Sequence, residues 1–359
     1  MNKLQVILAL LCLSCCNNSF VQTGKETPDS FIRQQVDSVY KKEELPGIFV
    51  GILNNGEKHF FNAGFADPGK QMPFDSATLF EIGSITKTFT AYVLTAVLME
   101  NKISDTDPII KYLPDSVQQN KNISNTSFLS LMNHTSGLPR LPGNMKITNI
   151  RQPYVNYTEA DLFAYLKKCE PKPDGKSSYS NLGAGLAGVL AERIAGKPYN
   201  ELVEKYIIVP FNMRPHGIPF NVENKSQGYF AKDDKVEYWN MNVLAPAGAL
   251  KCSANEILRY LQHMSFPGSA NSKAIVDKLT TQTVSLSPAV GVGRGWHIFT
   301  AANQDTVYWH NGGTYGFSSF CEFTKDKSKA VIVVINQFNK NAVSDGLGIK
   351  IIKKLISEE

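Results

Sequence analysis

Between Glu81 and Glu100 the chain runs for eighteen residues, Ile82 to Met99, with a single charge, Lys87. A helix that is apolar or small on nearly every face is buried, so this stretch demands a core that surrounds it. A lysine in such a place is costly unless it is paired or its pKa shifts. Ser84 precedes Lys87 by three residues, so both side chains share one face, a turn apart. Ser84 also falls at the expected helix start, where free backbone N–H groups favour developing negative charge. A serine so placed beside a desolvated lysine is a candidate activated nucleophile. Ser-x-x-Lys alone is a weak signal, because Ser38-Val39-Tyr40-Lys41 repeats it within an ordinary amphipathic pattern. The apolar surroundings of Lys87 single out the copy at Ser84.

The 359 residues allow one large domain or two intimate ones, and a composition 43% hydrophobic and 19% charged supports a sizeable core. The net charge of +5 is spread without a basic block, which argues against a nucleic-acid partner. The N-terminus reads as an export signal: Met1-Asn2-Lys3 is followed by the apolar run Leu4 to Leu13, too short to span a bilayer. Leu13-Ser14-Cys15-Cys16 then resembles a bacterial lipoprotein box, with Cys16, or alternatively Cys15, as the lipid-modified residue. Residues 1–16 are expected to be the signal, 17–28 a tether and 29–359 the catalytic domain, anchored to a bacterial membrane and facing the periplasm. An ordinary secretory signal with incidental cysteines is the alternative. Cys169, Cys252 and Cys321 are too few and too scattered for a disulfide framework and read as buried apolar residues with at most one bridge. The histidines show no metal-ligand spacing, so no metal is expected.

Along the chain, Asp29 to Glu44 reads as an amphipathic helix stopped by Pro46-Gly47. Ile48 to Leu53 and Lys58 to Gly64 read as a hairpin about Asn54-Asn55-Gly56. From Ile103 to Pro246 short helical patterns alternate with loops, at Asp107–Leu113, Ser127–Asn133, Glu159–Lys168, Leu182–Ile194 and Asn200–Ile208. A helix at Ala254–Met264 precedes strand patterns at Gly291–Thr300, Thr306–Trp309, Gly316–Phe323 and Ala330–Gln337, and a last helix spans Ser344–Ser357. Strands at both ends with helices between predict an α+β fold. One antiparallel sheet is built from the two ends, flanked by helices, with a mainly helical region inserted. The α/β part would take residues 29–80 and 250–359, and the helical part 81–249.

Two further clusters carry chemistry. Tyr179 and Asn181 lie in the glycine-flanked turn Gly175 to Gly183, ahead of a small-residue helix. A tyrosine near a lysine ammonium ionises more readily and can act as a general base, while Asn181 offers both donor and acceptor groups. Tyr-x-Asn recurs at Tyr154 and Tyr238, so the motif alone is weak. Trp309 to Phe317 contains His310, Gly312 and Gly313, where a strand ends and missing side chains let a substrate backbone approach. An N–H there, with that of Ser84, would form an oxyanion hole, and His310 would supply a proton or hold a carboxylate. The competing reading is a glycine bulge with an exposed histidine.

Taken together and in order, Ser84-x-x-Lys87, Tyr179-x-Asn181 and His310-x-Gly312 resemble the class C β-lactamase-related serine hydrolases, a family of penicillin-recognising D-alanyl-D-alanine carboxypeptidases, β-lactamases, D-aminopeptidases and esterases. Phe80 to Ala91 resembles the family's nucleophile helix, and Leu131 to Pro139 its His-Thr-Ser-Gly-Leu-Pro loop. The resemblance covers Phe31 to the C-terminus and implies the β-lactamase-like (DD-peptidase-like) fold. It implies Ser84 as acylated nucleophile, Lys87 as its proton acceptor or a tuner of its neighbours, and Tyr179 as general base and then acid. Asn181 and His310 would position substrate, and Ser84 and Gly313 would give the oxyanion-hole N–H groups. His134 and Ser136 read as structural. No cofactor is required. His310 stands where true β-lactamases of the family usually carry lysine; His310-x-Gly312 is instead similar to the carboxypeptidase and esterase branches. The expected activity is acyl transfer from amide or ester bonds of small molecules or peptides, D-amino-acid peptides among them. The alternatives are a carboxylesterase with the same site or a non-catalytic ligand-binding lipoprotein. An α/β-hydrolase is disfavoured, since no Gly-x-Ser-x-Gly elbow occurs.

Overall fold

A computed structural model describes residues 27–214, 223–302, 305–325 and 327–357. The expected export signal, with Cys15 and Cys16, and most of the expected tether lie outside the described residues. In chain order the helices are α1 Pro28–Glu43, α2 Thr86–Glu100, α3 Asp115–Gln118, α4 Phe128–Met132, α5 Glu159–Leu166, α6 Asn181–Ala195, α7 Tyr199–Val203, α8 Ala254–Ser265, α9 Ala270–Thr280 and α10 Asn341–Ile356. The strands are β1 Gly47–Asn54, β2 Glu57–Gly64, β3 Leu79–Glu81, β4 Gly228–Ala231, β5 Asp234–Val236, β6 Lys251–Ser253, β7 Val284–Ser287, β8 Val290–Val292, β9 His297–Thr300, β10 Thr306–Gly313, β11 Ser318–Thr324 and β12 Lys329–Ile335.

The main sheet has the order β2-β1-β12-β11-β10-β9-β8-β7, antiparallel throughout. Its centre is the pairing of β1 with β12, Ile48 opposite Ile335 and Leu53 opposite Ala330. The expected sheet made from both chain ends is therefore present. At the β1–β2 turn, Asn55 and Gly56 both take positive φ, 52° and 89°, as a two-residue hairpin of matching twist requires.

Period-two alternation gives the central strands two apolar faces. Ile48, Val50, Ile52, Val331, Val333 and Ile335 face α1 and α10. Phe49, Leu53, Ala330, Ile332 and Val334 join the larger core with α8, α2 and α6. Each such side chain contributes roughly 1.5–3 kcal/mol on full burial. The helix α2 is buried from Thr86 to Leu98, as its sequence demands.

Some local expectations change. The anticipated strand Gly291–Thr300 is two strands, because Arg294 leaves the sheet and meets Asp105 at 2.8 Å in a buried ion pair, while its Nη1 donates to Lys278 O at 2.6 Å. Asp107–Leu113 forms only the 3-10 turn Ile109–Tyr112, since Pro108 holds extended backbone ahead of it. Helix α9 was not anticipated; its three buried apolar residues, Ile275, Val276 and Leu279, are too few to stand out as a period. Cys169, Cys252 and Cys321 are buried free thiols, their pKa values pushed up by burial, that of Cys169 to about 11.

Candidate active site

The 3-10 turn Gly83–Ile85 leads directly into α2, so Ser84 sits at the helix mouth and Lys87 in its first turn. Lys87 is 3% exposed and makes three contacts through Nζ: Ser84 Oγ at 3.1 Å, Asn181 Oδ1 at 2.9 Å and Ala247 O at 2.7 Å. Burial, with the Arg140 charge nearby, holds its pKa well below the usual lysine value. An amide oxygen and a carbonyl can only accept, so they take two amine protons. A neutral amine then turns its lone pair to the third partner, the Ser84 hydroxyl.

Tyr179 closes the other side. Its hydroxyl hydrogen-bonds Ser84, and its ring lies against Lys87 Nζ, 4.7 Å from the centroid. The expectation that the lysine would ease its ionisation is corrected. Burial pushes Tyr179 up to about 12, the Ser84 bond opposing it, and Lys87 meets the ring rather than the oxygen. Tyr179 thus keeps its proton, and the group poised to accept one is Lys87. The turn carrying Tyr179 is braced by His134, whose carbonyl accepts from Ser178 N at 2.8 Å and whose Nδ1 accepts from Ser180 N at 3.3 Å. Ser136 Oγ accepts from Leu138 N at 3.3 Å within the same loop. Ser180 caps α6 through Gly183 N, which fixes Asn181 at the first helical position.

β10 brings the third cluster alongside. His310 is buried, not exposed. Its Nδ1 lies 2.6 Å from the carbonyl of Asn311, so Nδ1 carries the proton and Nε2 presents a bare lone pair. Burial first, then the charges of His297 and Lys87, hold its pKa well below the usual histidine value. With Nδ1 engaged by the Asn311 carbonyl, Nε2 is the ring atom left to meet a substrate, and as a bare lone pair it accepts a hydrogen bond. Gly312 and Gly313 pack on the nucleophile turn. A Cβ on Gly312 would collide with the Ile82 carbonyl oxygen, and one on Gly83 (φ +52°) would stand 2.6 Å from Gly313 N. β9 pairs with β10 only as far as His297 opposite Trp309, which leaves the edge from His310 onward open beside Ser84.

Sequence reasoning missed several parts. Glu81 is buried, and burial raises its pKa. It accepts from Trp239 N and, at 2.7 Å, from Thr314 Oγ1, clamping the loop at Trp239 to the end of β10. Tyr154, Trp239 and Tyr315 form an aromatic wall, with ring centroids 5.2 and 4.9 Å apart, and Tyr154 hydrogen-bonds Asn181. Arg140 is exposed, its guanidinium 5.1 Å from the Tyr179 ring centroid. Only the adjacency of Arg140 to the loop ending at Pro139 could have flagged it.

A family model described as Beta-lactamase matches residues 29–353. The beta-lactamase of Providencia stuartii is 30% identical over 242 residues, 64% of this chain and 59% of that protein, so less than two thirds of that relative is spanned. The beta-lactamase of Pseudomonas fluorescens is 25% identical over 352 residues, covering 87% of this chain and 95% of its own. Among solved structures, a beta-lactamase/D-alanine carboxypeptidase from Pseudomonas syringae matches with TM-score 0.76 at 22% identity, over 91% of this chain and 98% of that one. A class C beta-lactamase from Rhodobacter sphaeroides gives 0.77 at 20% identity, over 90% and 99%. At those identities the two structures speak for the fold, which is the expected antiparallel sheet flanked by helices. With nine-tenths of its length matched by the family model, this chain belongs to the beta-lactamase family of serine hydrolases.

Proposed function

We propose that Ser84 is the nucleophile of an acyl-enzyme mechanism acting on amide or ester carbonyls of small, carboxylate-bearing substrates, with short D-amino-acid peptides as the favoured class. The observation that carries this reading is the Lys87 amine, depressed in pKa and 3.1 Å from Ser84 Oγ. Lys87 accepts the Ser84 proton as Oγ bonds to the carbonyl carbon. The N–H groups of Ser84 and Gly313 stabilise the resulting oxyanion. As the adduct collapses, Lys87 gives that proton to the leaving amine or alkoxide, while Tyr179 keeps its own and hydrogen-bonds at the reacting centre. Water then repeats the sequence, and Ser84 Oγ recovers its proton from Lys87.

Arg140 supports the carboxylate in the substrate. It is an exposed guanidinium beside Tyr179, suited to bidentate carboxylate recognition, whereas His310 is neutral. The aromatic wall suits an apolar side chain next to the scissile bond. The test is the intact mass of the protein after mixing with benzylpenicillin, beside Ser84→Ala. A lasting gain of one penicillin, absent from the variant, supports the reading. A carboxylesterase is the second reading, because the neutral histidine and the same nucleophile serve esters equally; no adduct, with turnover of short nitrophenyl esters lost in Ser84→Ala, would favour it. No adduct and no turnover would leave a ligand-binding protein.

We further propose export and lipid anchoring at Cys16, with the domain facing the periplasm. Leu13-Ser14-Cys15-Cys16 supports it. Palmitate labelling that survives Cys15→Ala and is lost in Cys16→Ala is the expected result.

A further inference from the structure

β10 has a second face. Alternation turns His310 and Gly312 toward Ser84 and turns Trp309 and Asn311 toward α10. By register Glu322 and Phe320 of β11 share that side. Between this part of the sheet and the C-terminal half of α10 lies a cavity of about 540 Å³, walled chiefly by Phe299, Trp309, Phe320 and Ile352. That is the size range of small-molecule sites.

Three carboxyls line it, Asp305, Glu322 and Asp345; Asp305 is paired with Lys327 at 2.6 Å. Glu322 is 1% exposed, and its Oε1 has no hydrogen-bond partner among the described residues. A buried carboxyl atom without a partner is costly, and such groups in cavities are commonly functional. Asp345 is better satisfied. Its Oδ2 accepts from Asn311 Nδ2 at 2.7 Å and its Oδ1 from Ser344 Oγ at 3.3 Å, and each oxygen retains a further lone pair. Burial, then the neighbouring Asp345 charge, raises Glu322 well above the carboxylate range, while Lys353 pulls it down; burial also raises Asp345. Lys353 also lines the cavity, but it is one cation beside three acids, of which Asp305 has its own partner in Lys327. A ligand with an anionic head would add to the acid excess, and a purely apolar one would leave Glu322 Oε1 unpaired.

We propose that this cavity is a second binding site, for a small amine with an apolar body, its ammonium held between the carboxyls of Glu322 and Asp345 while its hydrocarbon part lies against Phe299, Trp309 and Phe320. The site is on the opposite side of the sheet from Ser84, so it stands or falls independently of the catalytic reading.

The test is calorimetric titration of the full chain with 1-naphthylmethylamine, and with 1-naphthylacetate as the anionic counterpart. The ammonium is expected to bind at one site per chain, at least about tenfold more tightly than the acetate. Ile349 lines the mouth and is 41% exposed, so Ile349→Trp fills the entrance without entering the core. Ile349→Trp and Glu322→Gln should each weaken the ammonium by about tenfold or more, and Ser84→Ala should leave it unchanged. Equal affinity for both probes, binding that persists in Ile349→Trp, binding lost in Ser84→Ala, or no heat at millimolar ammonium would overturn the proposal. Should Glu322→Gln fold poorly, Ile349→Trp and the pair of probes still decide it.

Discussion

Lys87 Nζ donates to Asn181 Oδ1 across 2.9 Å, tying the first turn of α2 to the first turn of α6. With Ala247 O taking a second proton, the lone pair of the neutral amine is steered to Ser84. Lys87→Met is expected to lower kcat/KM for an activated ester by about 10²–10⁴-fold. Lys87→Arg should do as badly, since a guanidinium does not deprotonate in proteins. In the unaltered enzyme kcat/KM should rise with pH through the depressed lysine value, far below 10.5, and then hold level toward the Tyr179 value of about 12. A pH–rate profile whose rising limb sits at the ordinary lysine value would refute the neutral-amine base.

Gly83 has φ +52°, and a side chain there would stand 2.6 Å from Gly313 N. Gly83→Ala should therefore displace one oxyanion donor and lower kcat by about 10²–10³-fold. It should also cost about 1–3 kcal/mol of stability through the strained backbone. Steady-state kinetics together with urea unfolding separate the two effects.

Arg140 is exposed, so Arg140→Gln should leave stability unchanged. Its expected effect is a KM about tenfold higher for substrates carrying a carboxylate, and an unaltered KM for neutral esters. A uniform change across both substrate types would remove Arg140 from recognition.

His134 and His310 are buried with lowered pKa values, His134 at about 3 and His310 well below the usual range. Below pH 6.5 the unfolded chain protonates both residues while the native one does not. Stability is therefore fully present above that pH and is lost as pH falls toward the folded values. Each contributes a slope of about 1.4 kcal/mol per pH unit in that window. The raised carboxyls Glu81 and Glu322 act in the opposite sense above pH 4.5, so the clean measurement is a difference. Urea midpoints of His310→Gln against the parent, from pH 7.5 to 5, should diverge by that slope, the variant being less acid-sensitive.

Asp105 and Arg294 form a buried pair at 2.8 Å that joins the loop after Ser104 to the break between β8 and β9. Arg294→Met would leave the Asp105 charge with only the more distant Lys278, 3.9 Å away, and should cost a few kcal/mol, about 3 or less. Thermal unfolding with intact-state kinetics checks it.

How much was readable follows from the kind of signal. Ser84, Lys87, Tyr179 and Asn181 sit in short patterns whose order points to one family, and the structure places them in mutual contact. The burial of α2 was legible because no charge but Lys87 interrupts it before Glu100. Ala247 was not, since it acts through a main-chain carbonyl that any residue would supply. Glu81 looked like a helix flank; its partners Trp239 and Thr314 lie 158 and 233 residues away. The proximity of Tyr179 to a lysine was legible, but the burial that raises its pKa was not. Strands such as β3 and β6, three residues each, carry no period to read.

The pairing of β1 with β12 sets a condition on synthesis. Nothing can complete the middle of the sheet until Ile335 has been made, and the turn at Gly83 leans on Gly312 and Gly313. Ser84 is thus translated long before the strand whose glycines its turn packs on. Such non-local closure is slow, and a chain still emerging from the ribosome carries Ser84 without the surroundings that the proposed chemistry needs.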